Sequence, residues 1–386
     1  MIYESFGVTP VINAAGTNTR LSGGMMHPEV TAAMAEAATA CVDMLELQAA
    51  ASREIAAATG AEAGIVTTGA SAALLLGAAA CMARLDIAAM DALPEAPPRR
   101  DFLIARSQRN MYDRALRVAG GRLVEVGIPD RFSGAGVRDA SAAELAAAIG
   151  PQTAAVLWVA QPWSEPALPE VSRVAQAAGV PVLVDAAAQL PPAANLRRFV
   201  AEGADLVCFS GGKAIGGPQS SGILAGRREL VASALLQMLD LDLPETQFRL
   251  PPEFAGNAQP PRLPHHGIGR SCKAGKEEII GLLVALRRFT EEGDAARSAR
   301  LRAKLEAVCA AMGDTPAEIT ATPVPLLLLR LPDAAAAHSA EARLRSQRIH
   351  VSQSRLREGV LVVNPLALAE RDLPVLGRAL ADALRA

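Results

Sequence analysis

The chain has 386 residues, of which 51% are hydrophobic, so it is long enough to bury more than one core. Its 38 basic and 40 acidic residues give a formal net charge of −2, which excludes a general nucleic-acid-binding surface. Aromatic residues make up only 3% of the chain, which also excludes a platform for stacking bases.

Short apolar strands alternate with helices over the first part of the chain. A polar, glycine-rich loop at residues 8–24 precedes predicted helices at about 27–40 and 46–59. The alternation that follows is typical of a parallel sheet covered on both faces. Its strands are predicted at 63–67, 102–105, 123–126, 154–159, 180–185 and 205–209, with helices between them that include 72–85, 169–178 and 196–202.

The pattern changes after about residue 225. A helix at 227–239 leads into a proline-rich stretch at 243–269, which predicts an irregular loop, and two helices follow at 276–291 and 296–312. The tail predicts a small α+β unit, with strands near 325–331, 349–352 and 359–363 and helices near 334–346 and 371–385. The predicted domains are an N-terminal arm and helix (1–45), a large domain (46–250) and a small C-terminal domain (251–386).

The five cysteines are odd in number and widely scattered, which is typical of reduced thiols in a cytoplasmic protein. No basic region followed by an apolar core opens the chain, and the apolar run at 72–83 is too short to span a membrane. We therefore expect neither a signal peptide nor a membrane partner. No metal site is expected either, because the adjacent His265 and His266 in a proline-rich loop do not form a ligand set.

One lysine follows a predicted strand and lies among glycines, in the sequence Ser210-Gly211-Gly212-Lys213. Lysine is rare here, with three others at 273, 276 and 304, all in or next to predicted helices. Backbone can approach a ligand closely at glycine, and a lysine amine in such a place suits Schiff-base formation. The alternative is an ordinary lysine in a surface loop.

Three further features are predicted to lie near Lys213. Asp185 ends a strand 28 residues earlier, the length of one strand–helix–strand unit, so the two residues are expected at adjacent strand ends. An aspartate there can pair with a protonated ring nitrogen, or can simply cap a helix or belong to a loop. Residues 68–71 join a strand to a helix and offer backbone N–H groups to a phosphate, or only cap that helix. Ser210 is a possible additional phosphate contact.

Together, five motifs resemble the selenocysteine synthase-like family of pyridoxal phosphate (PLP) enzymes and are close to its D-glucosaminate-6-phosphate ammonia-lyase branch. The resemblance covers nearly the whole chain. It implies PLP fold type I, an aspartate aminotransferase-like α/β fold with a large, mostly parallel seven-stranded sheet and a small C-terminal α+β domain. The motifs are Asn13-Ala14-Ala15-Gly16-Thr17 and residues 67–73, 184–188, 209–219 and 269–279.

The resemblance implies that Lys213 forms the Schiff base with PLP and that Asp185 lies under the pyridine nitrogen. It assigns the other cofactor contacts as a set: Gly69, Ala70, Ser71 and Ser210 to the phosphate, Gln108 or Arg109 over or beside the ring, and Gln189 near the ring or its 3-oxygen. Family members work as homodimers or higher homo-oligomers with shared active sites. The loop Gly216-Gly217-Pro218-Gln219 is therefore expected to serve the neighbouring subunit's cofactor.

Two departures from the family pattern bear on function. Selenocysteine synthases carry an N-terminal tRNA-binding domain, whereas the pattern here begins by about residue 8, so tRNA-bound serine is not expected as substrate. Gly212 stands where relatives commonly have aspartate, and we expect this to loosen the surroundings of Lys213.

With PLP as the electron sink, released Lys213 is the expected base that removes the proton next to the substrate's amine. We favour α,β-elimination from a small polar amino acid or amino sugar acid, which yields a 2-oxo acid and ammonia. If the substrate's α-carbon is instead reprotonated on its other face, the enzyme is a racemase. If the cofactor is protonated, the enzyme is an aminotransferase. A non-catalytic binding protein with the PLP fold is the alternative from another functional class. A dehydrogenase is not supported, because this sequence lacks the glycine fingerprint of nucleotide-binding α/β enzymes.

An anionic substrate needs cationic anchors, and each candidate arginine has the alternative of a solvated charge or a salt-bridge partner. Arg270 and Arg355 are favoured, because loops of the second domain usually close over this cofactor. The candidate substrate contacts are Asn13, Thr17, Arg20, Arg109, Arg270 and Arg355.

Overall fold

The computed structural model describes residues 2–128, 139–239, 243–256, 259–260 and 262–385. Its strands are Ile12–Ala14 (β1), Ala63–Thr67 (β2), Asp101–Ala105 (β3), Arg122–Val126 (β4), Thr153–Val159 (β5), Val182–Asp185 (β6), Leu206–Ser210 (β7), Gly222–Gly226 (β8), Glu318–Ile319 (β9), Leu327–Arg330 (β10), Ile349–Val351 (β11) and Val360–Val363 (β12). Its helices are Ile2–Ser5 (α1), Pro28–Ala37 (α2), Met44–Thr59 (α3), Ala70–Ala83 (α4), Ile87–Asp91 (α5), Arg114–Val118 (α6), Ala142–Ala148 (α7), Leu168–Ala177 (α8), Asn195–Ala201 (α9), Arg228–Leu236 (α10), Pro252–Ala255 (α11), Lys276–Met312 (α12), Ala334–Ser346 (α13) and Leu373–Arg385 (α14).

Seven strands form the central sheet, in the order β2-β8-β7-β6-β5-β3-β4. β8 is antiparallel to both of its neighbours, and the other pairs are parallel. The predicted large, mostly parallel sheet is confirmed. Because β2 and β7 both run opposite to β8, their carboxyl ends lie at the same edge of the sheet as that of β6.

Several elements are absent from the sequence-based prediction. β8 has only three apolar residues between Gly222 and Gly226, and glycine weakens the strand signal. The short elements α1, β1, α5, α11 and β9 have two to five residues each, too few to show a period. The stretch at 243–269 is irregular as predicted where the structure describes it, apart from α11 and a 3-10 turn at Ile268–Cys272.

Helices cover both faces of the sheet, as β6 illustrates. Successive side chains of a strand point to opposite faces. Leu183 packs in the core on the side of α4 and α10, whereas Val182 and Val184 pack in the core on the side of α3, α8 and α12. All three side chains are fully buried, and each burial stabilises the fold by about 1.5–3 kcal/mol.

The long helix α12 joins the central core to a smaller one. It bends at Gly293, whose φ of 69° and ψ of 163° are not helical, and the two helices predicted at 276–291 and 296–312 meet at this bend. Residues before the bend, such as Phe289, pack against the central sheet, and residues after it, such as Leu305, pack in the C-terminal unit. The domain limits at 45 and 250 remain predictions.

The C-terminal unit is a small sheet covered by helices, and it is tied to the N-terminal loop. β12, β10 and β9 form an antiparallel sheet, and α14 packs along α12. β1 pairs with β11 in parallel, so the loop after β1 lies between the two cores. Within the described ranges, no helix is both long enough and apolar enough to cross a bilayer.

Candidate active site

The carboxyl ends of neighbouring strands bring the predicted residues together. Thr67 of β2 and Ser210 of β7 both pair with Gly222 of β8. Asp185 of β6 pairs with Cys208 of β7, and Lys213 follows β7 by three residues. Asp185 and Lys213 therefore lie at the ends of adjacent parallel strands, as their spacing in the sequence predicts.

Asp185 is a carboxylate whose charge the protein balances only in part. Its Oδ1 accepts hydrogen bonds from the Ala187 N–H (3.1 Å) and from the thiol of Cys208 (3.6 Å). Burial raises the pKa of Asp185 above its ordinary value, and these donors and the charge of Lys213 offset only part of the rise. No side chain or backbone group in the described part of the chain bonds to Oδ2, so this oxygen can accept from a ligand N–H.

The sequence gives no sign of the role of Cys208, because a cysteine inside an apolar strand looks like any other core residue. The structure places its sulfur against the Asp185 carboxylate on the next strand. Burial, and then the negative charge of Asp185, raise the pKa of the thiol well above its ordinary value, so it stays protonated and donates.

Lys213 has a half-buried amine. Burial lowers the pKa of Lys213 below its ordinary value, while attraction to Asp185 acts in the opposite direction. A larger share of the amine is therefore uncharged than in a solvated lysine, and this favours both Schiff-base formation and proton acceptance. The side chain lines a cavity of about 740 Å³.

The backbone around Gly212 is tight, so the expectation of loose surroundings is wrong. A Cβ at Gly212 would lie 2.5 Å from the Cα of Gln219 and 2.9 Å from the carbonyl oxygen of Pro218. Any side chain there would displace the loop 216–219. The same loop is fixed to the N-terminal loop, because Gln219 Nε2 donates to the carbonyl of Thr19 (3.0 Å). Contact of this loop with the cofactor of a neighbouring subunit stays a prediction.

The start of α4 is open to an anion. Gly69 precedes the helix with a φ of 84°, no side chain caps it, and its first turn holds no acidic residue. The free N–H groups, at the positive end of the helix dipole, and the exposed Ser71 hydroxyl suit a phosphate. Gly222 is needed beside them, since a Cβ there would lie 2.4 Å from the carbonyl carbon of Gly69 and 2.6 Å from the nitrogen of Ala70. Ser210 pairs with Gly222, next to this helix start.

A second lysine, not among the predicted site residues, lies beside the start of α4. Thr68 donates its N–H to the carbonyl of Cys272 (2.9 Å) and its hydroxyl to the carbonyl of Lys273. These bonds hold the exposed Lys273 next to Gly69. In the sequence, only the position of Lys273 within the motif at 269–279 indicated that it lies near the site.

Gln108 and Gln189 shape loops at the same edge of the sheet. The buried Gln108 accepts from the Val159 N–H (2.9 Å) and donates to the carbonyl of Glu165 (3.0 Å), so it fixes the loop after β5. Gln189 lies in the turn after Asp185 and has a half-buried side chain. Contact of either glutamine with a cofactor ring stays a prediction.

The predicted arginine anchors differ in how far the chain already pairs them. Arg109 forms ion pairs with Asp113 and Glu125, and Arg355 pairs with Glu358 (2.6 Å). For both, the structure shows the salt bridges that were the alternative. Arg20 is exposed on the N-terminal loop, and Arg270 is half-buried in the 3-10 turn before α12. Their contacts with substrate stay predictions.

Asn13 organises the N-terminal loop. Both N–H bonds of its side-chain amide are used, one to the carbonyl of Gly16 (3.0 Å) and one to that of Gly23 (3.1 Å). Its oxygen accepts from the Ala15 N–H (3.0 Å). This geometry leaves no N–H of Asn13 for a substrate, whereas the half-buried Thr17 in the same loop keeps its predicted role as a candidate contact.

No group of three or more histidine, cysteine, aspartate or glutamate side chains could hold a metal ion in the ranges that the structure describes. The site consists of an amine, a buried carboxylate and an open helix start.

A family model described as SelA, L-seryl-tRNA selenium transferase, matches residues 11–242, which is more than half of the chain. The chain belongs to this family.

Relatives that match nearly the whole chain carry other names. A 5'-C-glycyluridine monooxygenase-decarboxylase from a Streptomyces species is 32% identical over 96% of this chain and 88% of its own. A D-glucosaminate-6-phosphate ammonia lyase from Salmonella typhimurium is 29% identical over 97% of this chain and 95% of its own. Family members named as L-seryl-tRNA(Sec) selenium transferases match only parts of the chain.

A solved structure agrees with these relatives. The structure of a D-glucosaminate-6-phosphate ammonia-lyase superposes with a TM-score of 0.80 at 28% identity, and the match covers 100% of this chain and 98% of that one. The present chain has the fold of the PLP fold type I enzymes, as the sequence motifs predict. The relatives that match over almost their full length are enzymes.

Proposed function

We propose that the protein is a PLP-dependent enzyme that performs α,β-elimination on a small polar amino acid or amino sugar acid. The products would be a 2-oxo acid and ammonia. The observation that carries this proposal is the placement of Asp185 and Lys213 at adjacent strand ends, beside the open start of α4. The similarity to an ammonia lyase over 97% of the chain supports the choice of reaction.

The residues present fit PLP. The uncapped start of α4, with Ser71 and Ser210, would hold the phosphate, and Lys213 would form the covalent link. A cationic ring nitrogen at Asp185 Oδ2 would relieve the cost of burying that carboxylate. When bound, PLP supplies an electron sink that stabilises negative charge at the substrate's α-carbon.

Lys213 and Asp185 would divide the chemical work. Lys213 Nζ, favoured in its uncharged form, accepts the proton from the substrate's α-carbon. Asp185 stays oriented because Ala187 and Cys208 hold its Oδ1. The β-hydroxyl then leaves as water with a proton from Lys213 Nζ. In the released enamine a proton moves from the nitrogen to the β-carbon, and one water molecule then hydrolyses the resulting imine to a 2-oxo acid and ammonia.

Loss of CO₂ from the same α-carbon is the second candidate, because a relative at 32% identity is named as a monooxygenase-decarboxylase. An aminotransferase or a racemase would also use Lys213 and Asp185. The products separate these possibilities: only elimination yields free ammonia without consuming O₂ or needing an oxo-acid acceptor. A binding protein without catalysis would yield no product.

Absorbance and product analysis test the proposal. Purified protein with PLP is expected to absorb near about 420 nm, and Lys213→Ala is expected to lose that band. The wild type is then incubated with β-hydroxy amino acids and amino sugar acids, and ammonia and 2-oxo acid are measured. Absence of the band from wild type would exclude PLP, and CO₂ release with O₂ uptake would replace elimination by the second candidate.

We also propose a homodimer or higher homo-oligomer with shared active sites, located in the cytoplasm and acting on a small molecule. The N-terminal arm supports association, because Ile2, Phe6 and Val8 are 69%, 78% and 53% exposed, and clustered apolar side chains at a surface mark interaction sites. The five free cysteines fit a reducing compartment. A net charge of −2 argues against tRNA or other nucleic acid as partner.

A further inference from the structure

Two of the four lysines have amines that the described chain leaves without a hydrogen bond. Lys276 and Lys304 each donate from Nζ to a backbone carbonyl, at 2.9 Å and 2.6 Å. Within the ranges that the structure describes, neither Lys213 nor Lys273 has a hydrogen bond or an ion pair at its amine. The proposed function uses Lys213 for the covalent link, so the role of Lys273 remains to be explained.

The backbone of Lys273 is joined to the end of β2. Lys273 lies opposite Thr67 in an antiparallel bridge, and its φ of −63° and ψ of 136° are extended. The residue after β2, Thr68, donates its N–H to the carbonyl of Cys272 (2.9 Å) and its hydroxyl to that of Lys273. Gly69 follows directly, so Lys273 lies beside the turn that begins α4.

The side chain of Lys273 leaves the backbone toward this turn. Directly opposed residues of an antiparallel pair share a face, so it starts on the same face as the side chain of Thr67. The Thr67 hydroxyl donates to the carbonyl of Gly69 (2.9 Å), which places the start of α4 on that face. Because Cys272 and Ala274 are 5% and 3% exposed, the backbone between them is fixed, while the Lys273 side chain is exposed.

The turn that begins α4 has hydrogen-bond donors but no charged side chain. Residues 70–73 are Ala-Ser-Ala-Ala, and no side chain caps the helix. The free N–H groups and the helix dipole supply only about half of an elementary positive charge. A phosphate monoester carries roughly two negative charges at about pH 7. A phosphate at this turn therefore needs a cation beside it.

No acidic residue in the described part of the chain forms an ion pair with Lys273. The nearest carboxylates in sequence are those of Glu277 and Glu278, at the start of α12. Lys276 Nζ pairs with Glu277 (2.5 Å), whereas Glu278 has its Oε2 against Gly275. The charge of Lys273 is therefore left for a ligand.

We propose that Lys273 supplies the positive charge that balances the phosphate of PLP at the start of α4. Its ammonium group would donate to phosphate oxygens, next to the N–H groups of residues 69–71, since a lysine can bind phosphate as a point charge. Lys213, after β7, and Lys273, beside β2, would then hold the cofactor from the two sides of β8. The inference rests on the proposed function, because it takes PLP to be the ligand at this edge of the sheet.

A comparison of PLP with pyridoxal, which lacks the phosphate, isolates this charge. Protein freed of cofactor is titrated with each compound, and the band near about 420 nm gives the dissociation constants. Lys273→Met is expected to bind PLP about tenfold more weakly than wild type does, as for the loss of one charge-assisted hydrogen bond. It is expected to bind pyridoxal as wild type does. Lys273→Arg, which keeps the charge, is expected to bind PLP nearly as tightly as wild type.

Two controls separate the local charge from general effects. Arg302→Met also removes one positive charge, but Arg302 donates to the carbonyl of Thr320 (3.2 Å) in the C-terminal unit, so its PLP affinity is expected to match wild type. Within each variant, the ratio of the two dissociation constants corrects for any general loss of structure, because such a loss weakens PLP and pyridoxal alike.

Phosphorus NMR of the bound cofactor gives a second readout. A cation beside the phosphate favours its doubly charged form and lowers its pKa. Lys273→Met is therefore expected to raise the pKa of the bound phosphate, which is followed by its chemical shift as the pH changes. A contact that only positions the turn would leave this pKa unchanged.

The outcomes separate this inference from the proposed function. A loss of PLP affinity confined to Lys273→Met, without ammonia release from any amino compound, supports the role of Lys273 and contradicts elimination. Ammonia release together with equal PLP binding by wild type and Lys273→Met overturns the role of Lys273 and leaves elimination standing. Equal weakening of PLP and pyridoxal also overturns it. Absence of the band from wild type overturns both.

Discussion

At the scale of single residues, Asp185 connects stability to ligand binding. Its carboxylate is buried, and the two donors at Oδ1 together with the charge of Lys213 do not fully offset the cost of ionising it. A raised pKa means that the protein loses stability as pH rises through that pKa, because the folded state must then hold a poorly solvated charge. A cationic ligand group at Oδ2 would cancel this loss.

Asp185→Asn is therefore expected to stabilise the protein when PLP is absent. At about pH 7 the gain should be on the order of 1 kcal/mol, and it should vanish toward about pH 3, where aspartate is neutral in both the folded and the unfolded state. With PLP added, the order should reverse, since only the aspartate can pair with a cationic nitrogen. Urea unfolding at several pH values measures this. The exposed Asp314→Asn serves as control, and an equal gain there would contradict the explanation.

Cys208 is expected to act through its S–H donor and not only through packing. Cys208→Val removes the donor and keeps the bulk, whereas Cys208→Ser keeps a donor. We expect Cys208→Val to lower kcat about twofold to fivefold, as for the loss of one weak hydrogen bond, and Cys208→Ser to stay near wild type. Steady-state kinetics across pH measures the difference. Equal losses in both variants would show that the thiol only fills space.

The sequence predicted correctly where two residues lie at the edge of the sheet, because their positions follow from strand order. Asp185 ends β6 and Lys213 follows β7, so the spacing between them was enough to place them at adjacent strand ends. The ion pair of Arg109 could not be predicted in this way. Its partner Glu125 lies on β4, so the contact depends on the pairing of β3 with β4. Likewise, the bond from Asn13 to Gly23 depends on the path of a loop, for which the sequence has no period.

At the scale of elements, the loop 216–219 packs closely against the turn after β7 at Gly212. The backbone of Pro218 and Gln219 occupies the space that a side chain at Gly212 would need. Because interiors are close-packed, extra atoms at such a place displace their neighbours.

Gly212→Asp is expected to destabilise the protein by about 1–3 kcal/mol and to weaken PLP binding, since the loop next to Lys213 must move outward. Gly150→Ala is the matched control, because a Cβ at Gly150 meets no atom within 4 Å, and a change within about 0.5 kcal/mol is expected. Urea unfolding and PLP titration measure both. A Gly212→Asp protein as stable as wild type would mean that the loop has room after all.

The bend in α12 is held by a buried arginine. Arg297 is 2% exposed, stacks on Phe289 with its guanidinium carbon 3.8 Å from the ring centre, and pairs with Asp294. Asp294 in turn accepts from the Ala193 N–H (2.9 Å), which belongs to the loop after Asp185. The bend and that loop are therefore connected by charged hydrogen bonds.

Arg297→Leu is expected to lower the free energy of unfolding by about 3–5 kcal/mol, because it leaves the Asp294 charge uncompensated in a partly buried place. Arg302→Leu, on the same helix but with a more exposed side chain, should cost less than about 1 kcal/mol. Thermal and urea unfolding of the two variants give the comparison. A loss of similar size in both would contradict a special role for Arg297.

At the scale of the whole molecule, the fold was predictable because a parallel sheet covered on both faces needs continuous apolar strands, and these stand out in a chain with 51% hydrophobic residues. β8 escaped prediction because its ends are glycines, and the cavity escaped because its walls come from four distant stretches of chain. Association of copies, which we propose above, would leave its mark in apolar residues that one chain does not cover, such as those of the N-terminal arm.

The N-terminal arm is expected to lie at the interface between copies. Ile2→Asp combined with Phe6→Asp should shift the protein to a lower oligomeric state, because charges would replace two apolar contacts. Val375→Asp is the control, as Val375 is an exposed apolar residue on α14, far from the arm in sequence. Light scattering after size-exclusion chromatography measures the mass. An unchanged mass in the double variant would place the interface elsewhere.

The tight fit at Gly212 also limits how this chain can exchange residues with its relatives during evolution. With the loop 216–219 in its present path, the side chain of an aspartate at Gly212 would clash with the backbone of Pro218 and Gln219, so such a change would need a loop that lies further out. The two segments are therefore expected to be inherited as a pair. A chimera should tolerate the exchange of both segments together better than the exchange of either one alone.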